Sequence, residues 1–178
     1  QTIEDCLIAH AGRLHSAGIG VWVGHSPYNV IRHNDIHDLY YSAFSVGWVW
    51  GYAASQAHHN EVAFNHAHHV GQGVLSDMGC IYTLGYQPGT VIRGNHLHAV
   101  HRSQLAQGAP NNGMFIDQGS KGYLFAQNVI YDTAAELVRF NQCQRDWHAW
   151  EDNHIGDEAE VRQSGREMIA AAGLESPW

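Results

Sequence analysis

The sequence predicts an all-β chain wound as a parallel β-helix of about six coils, with a short helix near its C-terminus. Three observations predict it. Asn34, Asn65, Asn95, Asn128 and Asn153 recur at intervals of 31, 30, 33 and 25 residues. The first four follow apolar stretches, Val30-Ile31, Val62, Val91-Ile92 and Leu124-Phe125, and precede interior-type residues, Ile36, Ala67, Leu97 and Ile130. Three residues after each of these Asn stand His37, His68, His98 and Tyr131. Side chains at one offset in successive repeats stack in columns when each repeat is one turn of a solenoid. The period is too short for a βαβ unit, and no convincing helix lies between repeats. Coils that climb by one strand spacing build a stack roughly 25–30 Å tall.

The elements follow in chain order. An early coil centres on Asp5-Cys6-Leu7-Ile8, within an apolar segment Ile3–Ile8, and puts Cys6 in the Asn column. Gly18–Gly24 is a strand, closed by a turn from Gly24 to Pro27. Val30–Ile36 is a strand pair broken at Asn34, a residue type that tolerates the left-handed backbone of a tight bend. Stacked Asn amides also bond coil to coil. Val46–Tyr52, Gly79–Gly85 and Gly113–Gly119 are further Gly-bounded strands. Aligned on Gly20, Gly47, Gly79 and Gly113, they share one sheet and bring Trp22, Trp48, Trp50, Tyr82 and Phe115 together. Gly71–Ser76, Tyr86–Gly89 and Ser103–Asn112 are the variable loops, where a solenoid carries function. Residues 141–155, with Trp147 and Trp150, form a last irregular coil. A helix is expected over Ser164–Gly173, with Gly173 as its stop. The β-helix domain is thus 1–156 and a capping segment 157–178. Gln1-Thr2-Ile3 reads as mid-coil, so further coils are expected upstream.

Composition narrows the function. The net charge is −8 and Lys121 is the one lysine. No basic stripe exists to neutralise phosphates, which argues against a nucleic-acid partner. No apolar run reaches membrane-spanning length. Cys6, Cys80 and Cys143 are an odd count at wide spacing, read as core thiols rather than a disulfide framework.

Two aspartates stand in apolar surroundings: Asp77 in Gly73–Gly85 and Asp117 in Gly113–Ser120. They lie 40 residues apart on neighbouring coils. Burial raises a carboxyl pKa, as a general acid requires, and two facing carboxyls are the minimum for glycoside cleavage. The alternative at each position is an Asp that caps a turn. Trp48 and Trp50 alternate along their segment and so share a face. Facing outward, they offer a sugar-stacking platform beside the aspartates; facing inward, they fill the solenoid core, which two large rings in one thin coil would crowd, so the outward face is expected. His58 and His59, after the Trp segment, are candidates for bonding sugar hydroxyls or assisting proton transfer. The stacked His37, His68 and His98 invite a metal reading. No thiolate or carboxylate completes a recognised spacing, so neither metal nor cofactor is expected.

Ser76-Asp77-Met78-Gly79-Cys80-Ile81-Tyr82-Thr83-Leu84-Gly85 and Asp117-Gln118-Gly119-Ser120 resemble signatures of right-handed β-helix glycoside hydrolases, specifically glycoside hydrolase family 141. The resemblance runs from about Cys6 to Glu175. It implies action on fucosides or xylan in plant cell-wall polysaccharide, Asp77 and Asp117 as the catalytic pair, and a secreted or periplasmic location. Relatives often carry Glu where this chain has Gln118: if their acidic function lies on that Glu, this chain lacks it, and if it lies on Asp117, Gln118 only changes the charge beside it. Substrate contacts are expected from Trp48, Trp50, His58, His59, Tyr82 and Gln118. A polysaccharide lyase and a non-catalytic carbohydrate-binding solenoid are the competing expectations. One lysine and no dense Asp cluster place the lyase lower.

Overall fold

The structure is a computed structural model and describes residues 1–175. The chain winds in coils of short strands. The first coil carries β1 (Thr2–Glu4), β2 (Leu7–Ala9) and β3 (Val21–Val23), and the second β4 (Val30–Arg32), β5 (Asp35–His37) and β6 (Phe44–Val46). The third has β7 (Glu61–Ala63), β8 (His66–Val70) and β9 (Met78–Thr83), and the fourth β10 (Val91–Arg93), β11 (His96–Val100) and β12 (Asn111–Ile116). The fifth has β13 (Leu124–Ala126), β14 (Val129–Ile130) and β15 (Val138–Phe140), and the last β16 (Ala149–Glu151) and β17 (His154–Ile155). Each strand pairs in parallel with its counterpart one coil on, giving three sheets: β1-β4-β7-β10-β13-β16, β2-β5-β8-β11-β14-β17 and β3-β6-β9-β12-β15. This is the parallel β-helix that the repeats predict.

The Asn column holds the coils together. The Asn65 backbone N–H and side-chain amide both donate to Asn95 Oδ1, at 3.1 and 3.0 Å. Asn34 makes the same pair of bonds to Asn65, Asn95 to Asn128, and Asn128 to Asn153. Cys6 ends the column as expected, its N–H donating to Asn34 Oδ1 at 3.0 Å. The left-handed residue at each bend, however, is the one before the Asn: Asp5, His33, Phe64, Gly94, Gln127 and Asp152 all have φ between 45° and 61°. Five of these six are not glycine. Their strain, of order 1 kcal/mol each, is offset by the amide bonds of the buried Asn beside them. A second ladder runs at another corner, where the Asn29 N–H donates to Asn60 Oδ1 and the Asn60 N–H to Thr90 Oγ1.

The interior is one continuous column of apolar side chains. Ile31, Val62, Ile92 and Phe125 come from the first sheet, Ile36, Ala67, Leu97 and Ile130 from the second, and Phe44, Ile81 and Met114 from the third. All are buried. The Cys80 thiol is fully buried within it and burial pushes its pKa up. Cys6 and Cys143 are half-buried, and all three thiols are free.

The third sheet departs from the glycine alignment. Val21 pairs with Phe44, Phe44 with Ile81, and Ile81 with Met114. Gly47 therefore lies four positions away from the level of Gly20, and Gly79 one away from that of Gly113. The strand expected at Val46–Tyr52 ends at Val46. Gly47 turns the chain out with φ 98°, and a β-carbon there would lie 2.2 Å from the Leu84 carbonyl oxygen. Apolar alternation in Val46–Tyr52 imitates a strand because a loop folded back on a sheet also shows one side to it.

The tail forms two helices, α1 (Glu158–Ser164) and α2 (Arg166–Ala171), where one from Ser164 was expected. Asp157 caps α1 by accepting from the Ala159 and Glu160 N–H groups. Val161, Met168 and Ile169 pack on Val129 and Tyr131 of the second sheet. The chain then descends that flank: the Gly173 N–H donates to the Phe64 carbonyl and the Glu175 N–H to Asp5 Oδ1. Positions 176–178 of the expected capping segment lie outside the described residues. Among the described residues, no helix is long and apolar enough to cross a membrane.

Candidate functional site

The outward face of the third sheet gathers most of the chemistry-bearing residues. Trp22, Ser45, Tyr82, Phe115 and Arg139 succeed one another along one column, fixed by the pairs Trp22–Ser45, Ser45–Tyr82, Tyr82–Phe115 and Phe115–Arg139. Inside that sheet β9 and β12 are interrupted. Asn111 and Asn112 pair with Met78 and Gly79, Met114 to Ile116 pair with Ile81 to Thr83, and Cys80 and Gly113 are skipped. A β-carbon on Gly79 would sit 2.5 Å from the Phe115 nitrogen, so glycine permits this close passage of the backbones. Asp77 precedes β9 and Asp117 follows β12.

Asp117 is buried. Its Oδ2 accepts from the Tyr82 hydroxyl, and its Oδ1 accepts from Asn141 Nδ2 at 2.7 Å. The side chain is therefore held by the sheet and by the next coil. It does not cap the Asp117–Ser120 turn, which the backbone closes through the Ser120 N–H to the Asp117 carbonyl. Burial and the bond to Asp117 drive the Tyr82 phenol pKa well upward, so Tyr82 remains a donor.

Asp77 has a left-handed backbone, φ 59°, and its carbonyl accepts from the Tyr41 hydroxyl at 3.1 Å. Its pKa is raised, by burial first and then by the charge of Asp117, against an opposing pull from Arg139. Asp77 is exposed, against the apolar surroundings expected from its neighbours in sequence, whereas Asp117 is buried, so the neighbouring negative charge is the firmer of the two raising causes, since it does not depend on burial. Burial and both carboxylates push Tyr41 up to about 12. The Arg139 guanidinium lies 4.7 Å from the Phe115 ring centroid, and its Nη1 is buried without a hydrogen-bond partner among the described residues. Arg139, Asn141 and Tyr41 were not singled out from the sequence. The available signal was positional: Asn141 is one coil beyond Asp117.

The tryptophans stand outward, beside this face. Trp48 packs edge-on to Trp22 at 4.9 Å and to Trp50 at 4.6 Å between ring centroids. Trp48 leans on Tyr82, Leu84 and Phe115, a cluster separate from the solenoid interior. Ser45, the smallest side chain of the outward column, leaves room there. Trp48, Trp50 and Tyr82 line a crevice of about 60 Å³ with Ile19, Tyr41, Ser42 and Ser45. Gln118 is half-buried and its amide donates to Gln142 Oε1 at 2.7 Å. Beyond it, Tyr52, Tyr86, Gly119, Lys121 and Trp147 line a hollow of about 290 Å³. Larger hollows exist, and that of about 620 Å³ is the exposed end of the stack around Trp150, Asn153 and Ile155. The residues lining that hollow include neither of the two aspartates.

His58 and His59 do not join the aspartates. They occupy the corner before the first sheet, where their Nδ1 atoms are 2.9 Å apart and both rings lie 5.3 Å from Tyr28. The column of His37, His68, His98 and Tyr131 is stacked as expected, with rings 5.0 to 5.3 Å apart.

No protein-family model matches the chain. No curated protein matches it. A solved structure named "Glycoside hydrolase" superposes with a TM-score of 0.75 at 24% sequence identity, covering 99% of this chain and 28% of that one. The chain thus spans under a third of that protein's length, and the likeness is one of fold.

Proposed function

We propose that this chain is part of a glycoside hydrolase and that the outward face of the third sheet binds its substrate. The observation that carries this reading is the fixing of the buried Asp117 carboxyl against the aromatic face: it accepts from Tyr82, which lines the crevice with Trp48 and Trp50, and from Asn141 of the next coil. Burial and the charge of Asp117 raise the pKa of Asp77, as a general acid requires. Asp77, which holds its proton to higher pH, acts as general acid on the glycosidic oxygen. Asp117 accepts bonds from Tyr82 and Asn141. It presents a fixed carboxylate as nucleophile or base. Trp48 and Trp50 supply ring faces for pyranose stacking, and Tyr41 and Tyr82, whose hydrogens go to the Asp77 carbonyl and to Asp117, offer hydroxyl oxygens that accept from sugar hydroxyls. Gln118 borders this face where relatives often carry Glu, and this reading takes Asp117 rather than that position as the acting carboxyl.

The name of the similar fold and the resemblance to family 141 both favour a carbohydrate substrate. We assign it to the plant cell-wall class, fucoside or xylan, and a polymer of that size implies a secreted or periplasmic setting. One observation favours a second reading. Arg139, with a buried unpartnered Nη1, resembles the cationic group of a lyase acting on acidic sugars.

The test is incubation of the protein, and of its Asp77→Asn and Asp117→Asn forms, with aryl glycosides and plant-wall oligosaccharides. Release of one sugar, reduced by orders of magnitude in both variants without loss of fold, supports the hydrolase. An unsaturated product absorbing in the ultraviolet favours the lyase. Glycan binding without cleavage, unchanged in both variants, would leave a binding solenoid and sink the enzyme reading.

A further inference from the structure

The geometry points to a binding site for a zinc-class divalent cation on the second sheet, ligated by ring nitrogens of His66, His96 and His98. The sheet's register builds it. Asp35 pairs with His66 and His66 with His96, while His68 pairs with His98 in the adjacent outward column. Parallel neighbours stack one strand spacing apart. Two columns two residues apart therefore give a square of four imidazoles with Asp35 at its lower corner. The ligand-capable atoms of His66, His96 and His98 all lie within 4.8 Å of one another.

Three features separate this square from a simple ring stack. First, His66 Nε2 faces His98 Nε2 at 2.9 Å. Two ring nitrogens so placed need a proton or a cation between them. A tetrahedral zinc at 2.0–2.1 Å from each ligand sets them about 3.3 Å apart, within a few tenths of an ångström of the separation present. Second, the outer partners are those of a histidine metal site. His66 Nδ1 is 3.7 Å from Asp35 Oδ2, so the far side of a ligating His66 meets a carboxylate. His96 Nε2 is 2.8 Å from the Tyr131 hydroxyl. Third, Asp35 Oδ1 is buried without a well-formed hydrogen bond, 3.3 Å from His68 Nε2. It needs the protonated nitrogen of an oriented imidazole.

The His37–His68–His98 column considered from the sequence is not the converging set. Convergence takes His66 and His96 from the neighbouring column, which single-column periodicity does not show. Three imidazoles with no thiolate suit zinc, nickel, cobalt or copper, and not calcium or magnesium. The cation would tie β8 to β11 and leave a position open for water or an anion.

The test is cation binding by untagged protein stripped with a chelator. It is titrated with Zn²⁺ against a chromophoric chelator, and with Co²⁺ read by its visible spectrum. The readout is binding, so it stands apart from the hydrolase reading. The expected result is one equivalent of Zn²⁺ and a Co²⁺ spectrum of low coordination number. His66→Gln and His98→Gln should weaken binding at least ~100-fold, and Asp35→Asn about 10–100-fold. His58→Gln with His59→Gln should change nothing. Circular dichroism checks that each variant is folded. Absence of Zn²⁺ binding, or wild-type affinity in folded His66→Gln and His98→Gln, overturns the site, and a shared proton then explains the short Nε2 contact.

Discussion

The Tyr82 hydroxyl donates to Oδ2 of Asp117, one coil above it and just past the end of β12. The bond joins the outward column of the third sheet to the aspartate that follows β12, so the aromatic face and the carboxyl are built as one unit. A charge-assisted bond of this kind contributes about 1.5–3 kcal/mol. Tyr82→Phe keeps the ring against Phe115, whose centroid is 5.2 Å away, and removes only the donor. The expected outcome is a stability loss of about 1.5–3 kcal/mol in urea unfolding together with a loss of about 10–100-fold in kcat/KM measured where the variant is still fully folded. A rate unchanged in the folded variant would make the bond structural only.

Asp77→Asn separates function from stability. The raised pKa of Asp77 means that the folded chain holds its proton to higher pH than the unfolded chain does. Folded stability is therefore lost as pH rises from the unfolded value, 3.8, through the folded one. Removing the charge abolishes that loss. Thermal unfolding should place Asp77→Asn at or above the parent at neutral pH and equal to it below pH 3.8, while hydrolysis drops by orders of magnitude. A variant less stable at neutral pH contradicts the assignment.

Trp50 and Trp48 should part company. Trp50 is 49% exposed, so Trp50→Ala costs stacking and little fold stability. Loss of about 1.4 kcal/mol of ring contact raises KM about 10-fold at constant kcat. Trp48 covers Tyr82, Leu84 and Phe115, so Trp48→Ala adds a stability loss of about 2 kcal/mol. Steady-state kinetics beside urea unfolding checks both.

Asn95→Ala should be among the more damaging polar substitutions in the solenoid. Asn95 accepts twice from Asn65, donates to Asn128 Oδ1 at 3.0 Å and donates to the Val62 carbonyl at 2.9 Å. Truncation leaves buried groups unpaired on two neighbouring coils, at a cost of about 3 kcal/mol. Equilibrium urea unfolding measures it, and a loss below ~1 kcal/mol would mean that the ladder is ornamental.

His148 supplies an acid-sensitive element. Both ring nitrogens are buried without partners among the described residues, beside Tyr123 at 5.6 Å and Phe125 at 5.4 Å. Burial holds its pKa down to about 4, with Asp146 pulling the other way. The unfolded chain binds this proton from about pH 6.5, so stability is lost as pH falls from about 6.5 to about 4. The contribution is of order 3 kcal/mol. His148→Leu should flatten the pH dependence of unfolding in that window.

Legibility differed between the interior and the outer face. The Asn column, its Cys6 end and the His37–Tyr131 stack were readable because a solenoid repeats the same contacts at the same offset. Gly20, Gly47, Gly79 and Gly113 misled because glycine marks close passages as well as strand starts. Gly47 lies beyond its strand, and Gly79 lies where two backbones pass. Arg139, Asn141 and Tyr41 carry no motif. Each reaches the aspartates from another coil, and only the register between coils says which residues meet.

By itself the sequence determined the coil period, the inward columns and the presence of two aspartates in apolar segments. These rest on local pattern and on burial, which act on every repeat alike. The tertiary structure alone decided which carboxyl is held by Tyr82 and Asn141, how Trp48 folds back onto Tyr82, and that His66 converges with His96 and His98. Those are contacts between residues 20 to 40 positions apart in the chain. They depend on strand register and on bends at Gly47 and Gly79, and a one-residue change of register would turn each of these side chains to the other face.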